Sequence, residues 1–128
     1  MIKTIFSIPR LYKSFSYAFK GIYQVFRYEL NMQIHLLAAV VVVIAGFVLQ
    51  LTATEWCLVI FAIVGVWIAE MFNTSIEVLT DLVSPDYHEL AGKVKDIAAG
   101  AVVLATLGAV VIGGIVFLPK VISLFFSL

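Results

Sequence analysis

A chain of 128 residues has the length of one domain, but this one is 63% hydrophobic and only 12% charged, where soluble domains average roughly 45–50% and 25%. Eight Lys and Arg balance eight Asp and Glu, so no basic excess argues for nucleic acid, and a mean hydropathy of +1.13 leaves too little polar surface for a water-soluble globule. The lone cysteine, Cys57, excludes an intramolecular disulfide, and the widely separated His35 and His88 make no zinc site by themselves.

Residues 1–30 interleave Lys3, Arg10, Lys13, Lys20 and Arg27 with Ile, Leu, Phe and Tyr. On a helix, Arg10, Lys13 and Lys20 share one face while Leu11, Phe15, Phe19 and Ile22 take another, the pattern of an amphipathic helix lying in a membrane interface. The apolar stretch begins too late, and lacks the small-residue cleavage site, for a signal peptide. Residues 36–51, LLAAVVVVIAGFVLQL, carry no charge, and extension to 34–52 approaches the ~20 residues that cross a bilayer. Thr52-Ala53-Thr54-Glu55 has capping-box spacing, so a second membrane helix follows after a tight turn, over 56–83, and stops at Ser84-Pro85. A loop or short helix then reaches Lys95, Asp96 can cap a third span over 97–118, and Pro119-Lys120 mark its exit. Ala101, Ala105, Ala109 and Gly113 recur in that span at four-residue steps, a small-residue ridge suited to close helix packing. The expected architecture is all-α integral membrane, with a surface helix and three transmembrane helices in a single domain over 1–128. Basic residues concentrate before the first span and at Lys93 and Lys95, which places the N-terminus and the second loop in the cytoplasm.

Glu70, Asn73, Glu77 and Asp81 follow one another at spacings of three, four and four, along one narrow helical face. An ionisable group costs about 2.5–3.5 kcal/mol at the centre of a spanning helix, and apolar packing offsets none of it. A solvated helix end accounts for Asp81 but poorly for Glu77 and Glu70. Glu29 adds a carboxylate at the same depth. Oxygen ligands for a metal, a base beside a hydroxyl and nearby cations are what phosphoryl transfer requires, although neither a P-loop nor GxGxxG is present. The rival reading is a small cation-binding channel or transporter subunit lined by Glu29, Glu70 and Glu77; its weakness is that the acids cluster at one end of the spans. A non-catalytic scaffold assembled through the alanine ridge would leave the acidic face unexplained.

EMFNTSIEVLTDL (70–82) followed by DYHELAGKVKD (86–96), together with Arg10, Tyr17, Lys20-Gly21 and Glu29, closely resembles the small bacterial integral-membrane lipid kinases, the diacylglycerol kinase and undecaprenol kinase family. The resemblance covers nearly the whole chain. It implies a bacterial plasma-membrane enzyme, active as a homotrimer with composite sites, that uses ATP and Mg2+ to phosphorylate a membrane lipid alcohol. By the same resemblance Glu70 is the catalytic base, Glu29 and Glu77 are the magnesium ligands, and Asn73, Lys95 and Asp96 surround the nucleotide, with Arg10, Tyr17, Asp86, Tyr87 and His88 lining the rest of its site. Glu29-Leu30-Asn31 with His35, and Phe117-Leu118-Pro119-Lys120, are similar to the undecaprenol branch; Tyr87-His88-Glu89-Leu90 is similar to the diacylglycerol branch, and Ala91 stands where some members carry serine. Asn31 and His35 share a face at headgroup depth, and the balance leans to undecaprenol as the better acceptor.

Overall fold

Pro9 sits in the first turn of helix α1 (Ile8–Tyr28), where its missing N–H leaves no helical bond unmade. The structure, a computed structural model, describes residues 7–126; the beginning of the expected surface helix, with Lys3, lies outside them. Glu29 alone separates α1 from α2 (Leu30–Val48), in an extended conformation at φ −91° and ψ 119°. The Glu29 N–H donates to the Val25 carbonyl at 3.0 Å and Gln33 N–H to the Glu29 carbonyl at 3.1 Å. Gln33 Nε2 also donates to the orphaned Arg27 carbonyl at 2.9 Å. Helix α2 therefore begins before the expected residue 34, because the break needs only one residue.

It also ends earlier than residue 52. Gln50 adopts a left-handed φ of 51°, Gln50 N–H reaches the Phe47 carbonyl at 3.3 Å, and Leu51 N–H reaches the Gly46 carbonyl at 3.0 Å. These are the two bonds of a Schellman turn. Leu51 folds back beside Val59 and Val116 to form the apolar core at this end.

The expected capping box opens α3 (Ala53–Val83): Glu55 N–H donates to Thr52 Oγ1 at 3.3 Å, and Thr52 N–H to Glu55 Oε2 at 2.7 Å. The helix closes where expected, ahead of Ser84 and Pro85. The third span is longer at both ends than the sequence suggests. Helix α4 (Glu89–Phe126) begins well before residue 97, and Asp96 lies exposed within it rather than at its cap. His88 takes that place, its Nδ1 accepting from Leu90 N–H at 3.2 Å and its carbonyl from Gly92 N–H at 3.0 Å. Pro119 does not end the helix either. It deprives one preceding carbonyl of a donor, a loss tolerated in membrane helices, and the next residue is anchored by a Lys120–Glu55 ion pair at 3.1 Å.

Helices α2, α3 and α4 are each long and apolar enough to cross a membrane. At 31 and 38 residues, α3 and α4 run roughly 46 and 57 Å, beyond the ~30 Å hydrocarbon core. Their joined ends carry the charged stretch from Asp81 to Asp96. The two helices form the most extensive pairing in the chain, while α1 meets α3 through an edge-to-face contact of Phe26 and Trp67 at 5.0 Å. At one end of the alanine ridge, within one chain, a Cβ at Gly113 would meet nothing within 4 Å, and Ala109 and Gly113 border a groove there.

Close approach occurs at Gly46, where a Cβ would lie 2.6 Å from the Trp56 indole. That ring is itself packed on Phe47, with centroids 4.9 Å apart. Gly46→Ala is expected to destabilise the fold by about 1–3 kcal/mol through overpacking, read as a lower midpoint in denaturant titration of the detergent-solubilised protein. An unchanged midpoint would show that the indole yields freely.

Candidate active site

The polar face of α3 is drawn into the protein. Glu70 is 2% exposed and Asn73 4%, and Glu77, one turn on, is half-buried. Asn73 Nδ2 donates to Glu77 Oε1 at 2.9 Å, which fixes the amide with its oxygen turned away from that carboxylate. Glu70 Oε2 and Asn73 Oδ1 are buried without a hydrogen-bond partner among the described residues. Each such orphan costs about 1–3 kcal/mol, an arrangement expected of a site that completes itself on binding. All three side chains border a cleft of about 360 Å³ among α2, α3 and α4, which Asn31 and His35 enter from α2 and Thr106 from α4.

Glu29 is held at the break between α1 and α2 and is half-buried. It borders a different cleft, of about 580 Å³, with Gln24, Thr74 and Ser75. Within one chain, then, Glu29 and Glu77 open onto separate spaces. No group of three or more His, Cys, Asp or Glu capable of holding a metal occurs among the described residues. Magnesium ordinarily takes one or two carboxylates and completes its shell with phosphate oxygens and water, and a carboxylate pair suits that chemistry.

The remaining sequence candidates are not brought to the Glu70 cleft. Arg10 and Tyr17 are exposed on α1, and Asp86 and Tyr87 are exposed in the connector. His88 borders a third cleft with Thr80 and Ser84. Lys95 is ion-paired with Asp81, and Asp96 faces outward. These residues nonetheless lie on or next to the joined ends of α3 and α4, apart from the two on α1. The sequence reading overlooked Thr106. Its only signal there is a hydroxyl within an otherwise apolar run, which becomes informative once the cleft is known.

The family model for prokaryotic diacylglycerol kinase matches residues 16–117. The chain belongs to the prokaryotic diacylglycerol kinase family. Its relatives include the undecaprenol kinase of Bacillus subtilis, 41% identical over 113 residues that cover 88% of this chain and 92% of that one. The diacylglycerol kinase of Synechocystis is 41% identical over 117 residues, covering 91% and 67% of the two chains. That of Escherichia coli K12 is 30% identical over 102 residues, covering 80% and 84%. Membership makes this chain a lipid kinase of the membrane, and a kinase of this family implies ATP as phosphoryl donor.

Proposed function

We propose that this enzyme transfers the γ-phosphoryl group of ATP to the hydroxyl of a membrane lipid in the cleft bordered by Glu70. The observation that carries this reading is a buried carboxylate with a partnerless oxygen, at the edge of a cleft that also opens among apolar spans. Glu70 takes the proton from the lipid hydroxyl; the oxygen bonds to the γ-phosphorus as the bond to the β,γ-bridging oxygen breaks, and ADP leaves. Asn73 holds Glu77 in orientation through its amide. Glu29 and Glu77 would hold magnesium, whose charge, when it is bound, neutralises the triphosphate. Lys95, Asp96, Arg10, Tyr17, Asp86, Tyr87 and His88 surround the nucleotide in this reading, with Lys95 exchanging Asp81 for phosphate. Most of the catalytic effect is positioning and electrostatics.

Helix α1 lies in the cytoplasmic interface, supported by its divided basic and apolar faces, and the active site is on that side by the distribution of Lys and Arg. The working unit is a homotrimer with sites shared between chains. Two features support this: Glu29 and Glu77 border separate clefts within one chain, and long apolar faces remain exposed on every helix. Native mass spectrometry in detergent should give three chains, and a strict monomer would remove this part of the reading.

Undecaprenol is the preferred acceptor and diacylglycerol the second. Asn31 and His35, which distinguish the polyprenol-like stretch after Glu29, border the same cleft as Glu70. Selectivity along the lipid chain rests on shape, worth only ~1–3 kcal/mol per misfitted methylene, so both lipids are expected to react. The test is kcat/KM for each in the same bilayer. A preference for diacylglycerol above about tenfold, or ~1.4 kcal/mol, would reverse the assignment.

A further inference from the structure

The Glu70 cleft does not end at its polar residues. A second space of about 230 Å³ lies among the same three helices, bordered by Ala38, Ala39, Val42, Trp67, Ala109 and Gly113. His35 and Thr106 border both spaces, so these two side chains mark the junction between the carboxylate end and an apolar groove. On α4 the groove is bordered by the small residues Ala109 and Gly113, with open space at Gly113.

The hydroxyl residues of the helices divide into those that bond back to their own helix and those, Thr74 and Thr106 among them, that do not. Ser14, Ser75 and Thr80 each donate to the carbonyl four residues back, at 3.0, 2.8 and 2.7 Å, which satisfies a hydroxyl inside a helix. Thr106 makes no side-chain hydrogen bond among the described residues, nor does His35. In a span otherwise free of polar groups from Ile97 to Leu118, a hydroxyl bordering a groove is satisfied by what enters that groove.

We infer that Thr106 is a specificity-determining residue for the acceptor, donating to an ester carbonyl of diacylglycerol when that lipid lies with its hydroxyl at Glu70 and its chains in the groove. This rests on the kinase reading above and deepens it. The chemistry separates the two acceptors. In 1,2-diacylglycerol an ester is attached to the carbon next to the one bearing the free hydroxyl, so a carbonyl oxygen follows the reacting group into the junction. A polyprenol has only hydrocarbon there and offers Thr106 no acceptor. The hydroxyl at 106 therefore governs how well the ester lipid competes, while leaving the polyprenol to be chosen by shape.

The experiment measures kcat and KM for both lipids, in bilayers of one composition, for the wild type, Thr106→Val and Thr106→Ser. Valine keeps the branched shape and removes the donor; serine keeps the donor. Thr106→Val is expected to lower kcat/KM for diacylglycerol about fivefold, the loss of one hydrogen bond, chiefly through KM. Undecaprenol should stay within twofold, and Thr106→Ser should retain the wild-type ratio. An unchanged ratio in Thr106→Val, or an equal fall for both lipids, would overturn the inference. A wild type inactive on both lipids would instead sink the kinase reading on which it stands.

Discussion

Replacing Glu70 by Gln is expected to lower turnover by about a hundredfold to ten-thousandfold, the range contributed by a positioned general base, while ATP affinity stays within a few-fold of the wild type. Glutamine has nearly the shape of glutamate, so a side chain only 2% exposed can be exchanged without opening a cavity. What is lost is the ability to take a proton. The partnerless oxygen of Glu70 makes the substitution informative, because no protein hydrogen bond to that atom must be broken. Pre-steady-state turnover and equilibrium nucleotide binding, measured on the same preparation, separate the two effects. Activity within a few-fold of wild type would remove Glu70 from the role of base, and a parallel loss of ATP binding would move it into the nucleotide site.

Substituting Glu29 or Glu77 by Ala should raise the magnesium concentration needed for half-maximal rate by at least about tenfold, as well as lower the rate at saturation. The two variants should differ in one respect. Glu77→Ala also strips Asn73 of its acceptor at 2.9 Å, leaving a buried amide without either partner, so it should lower thermal stability as well. Glu29 makes no hydrogen bond through its carboxylate among the described residues; only its backbone joins α1 to α2, so Glu29→Ala should leave stability nearly unchanged. A normal magnesium titration in either variant would show that the residue is not a ligand.

The helical face carrying Glu70, Asn73 and Glu77 was legible because helical periodicity alone aligns them, and an acid within a membrane helix has few bland explanations. The start of α3 was legible for a similar reason, since a capping box is a local pattern of residue types. Other boundaries depend on competition that a pattern does not reveal. Asp96 was the expected start of the third span, but α4 begins at Glu89 because Glu89-Leu90-Ala91 is good helix-forming sequence once His88 accepts the Leu90 N–H. Pro119 looked like an exit until Lys120 was seen to pair with Glu55 from the opposite end of α3. The end of α2 was blurred because Gln50, rather than glycine or asparagine, takes the left-handed position of the turn. The clefts themselves were not legible at all. That Glu29 opens onto a different space from Glu77, and that Thr106 joins His35 at the edge of the groove, depends on the register between helices.

The most direct measurement of the central claim is label transfer by the purified wild-type protein in a bilayer containing undecaprenol or diacylglycerol. ATP radiolabelled at the γ position, and separately at the α position, would be supplied with magnesium, and the extracted lipid would be resolved by chromatography. The account predicts label in a lipid monophosphate from γ-labelled ATP only, formed at least about a hundredfold more slowly when Glu70→Gln replaces the wild type. Label reaching the lipid from the α position, or no lipid phosphate with either alcohol while the protein remains folded and binds ATP, would contradict it.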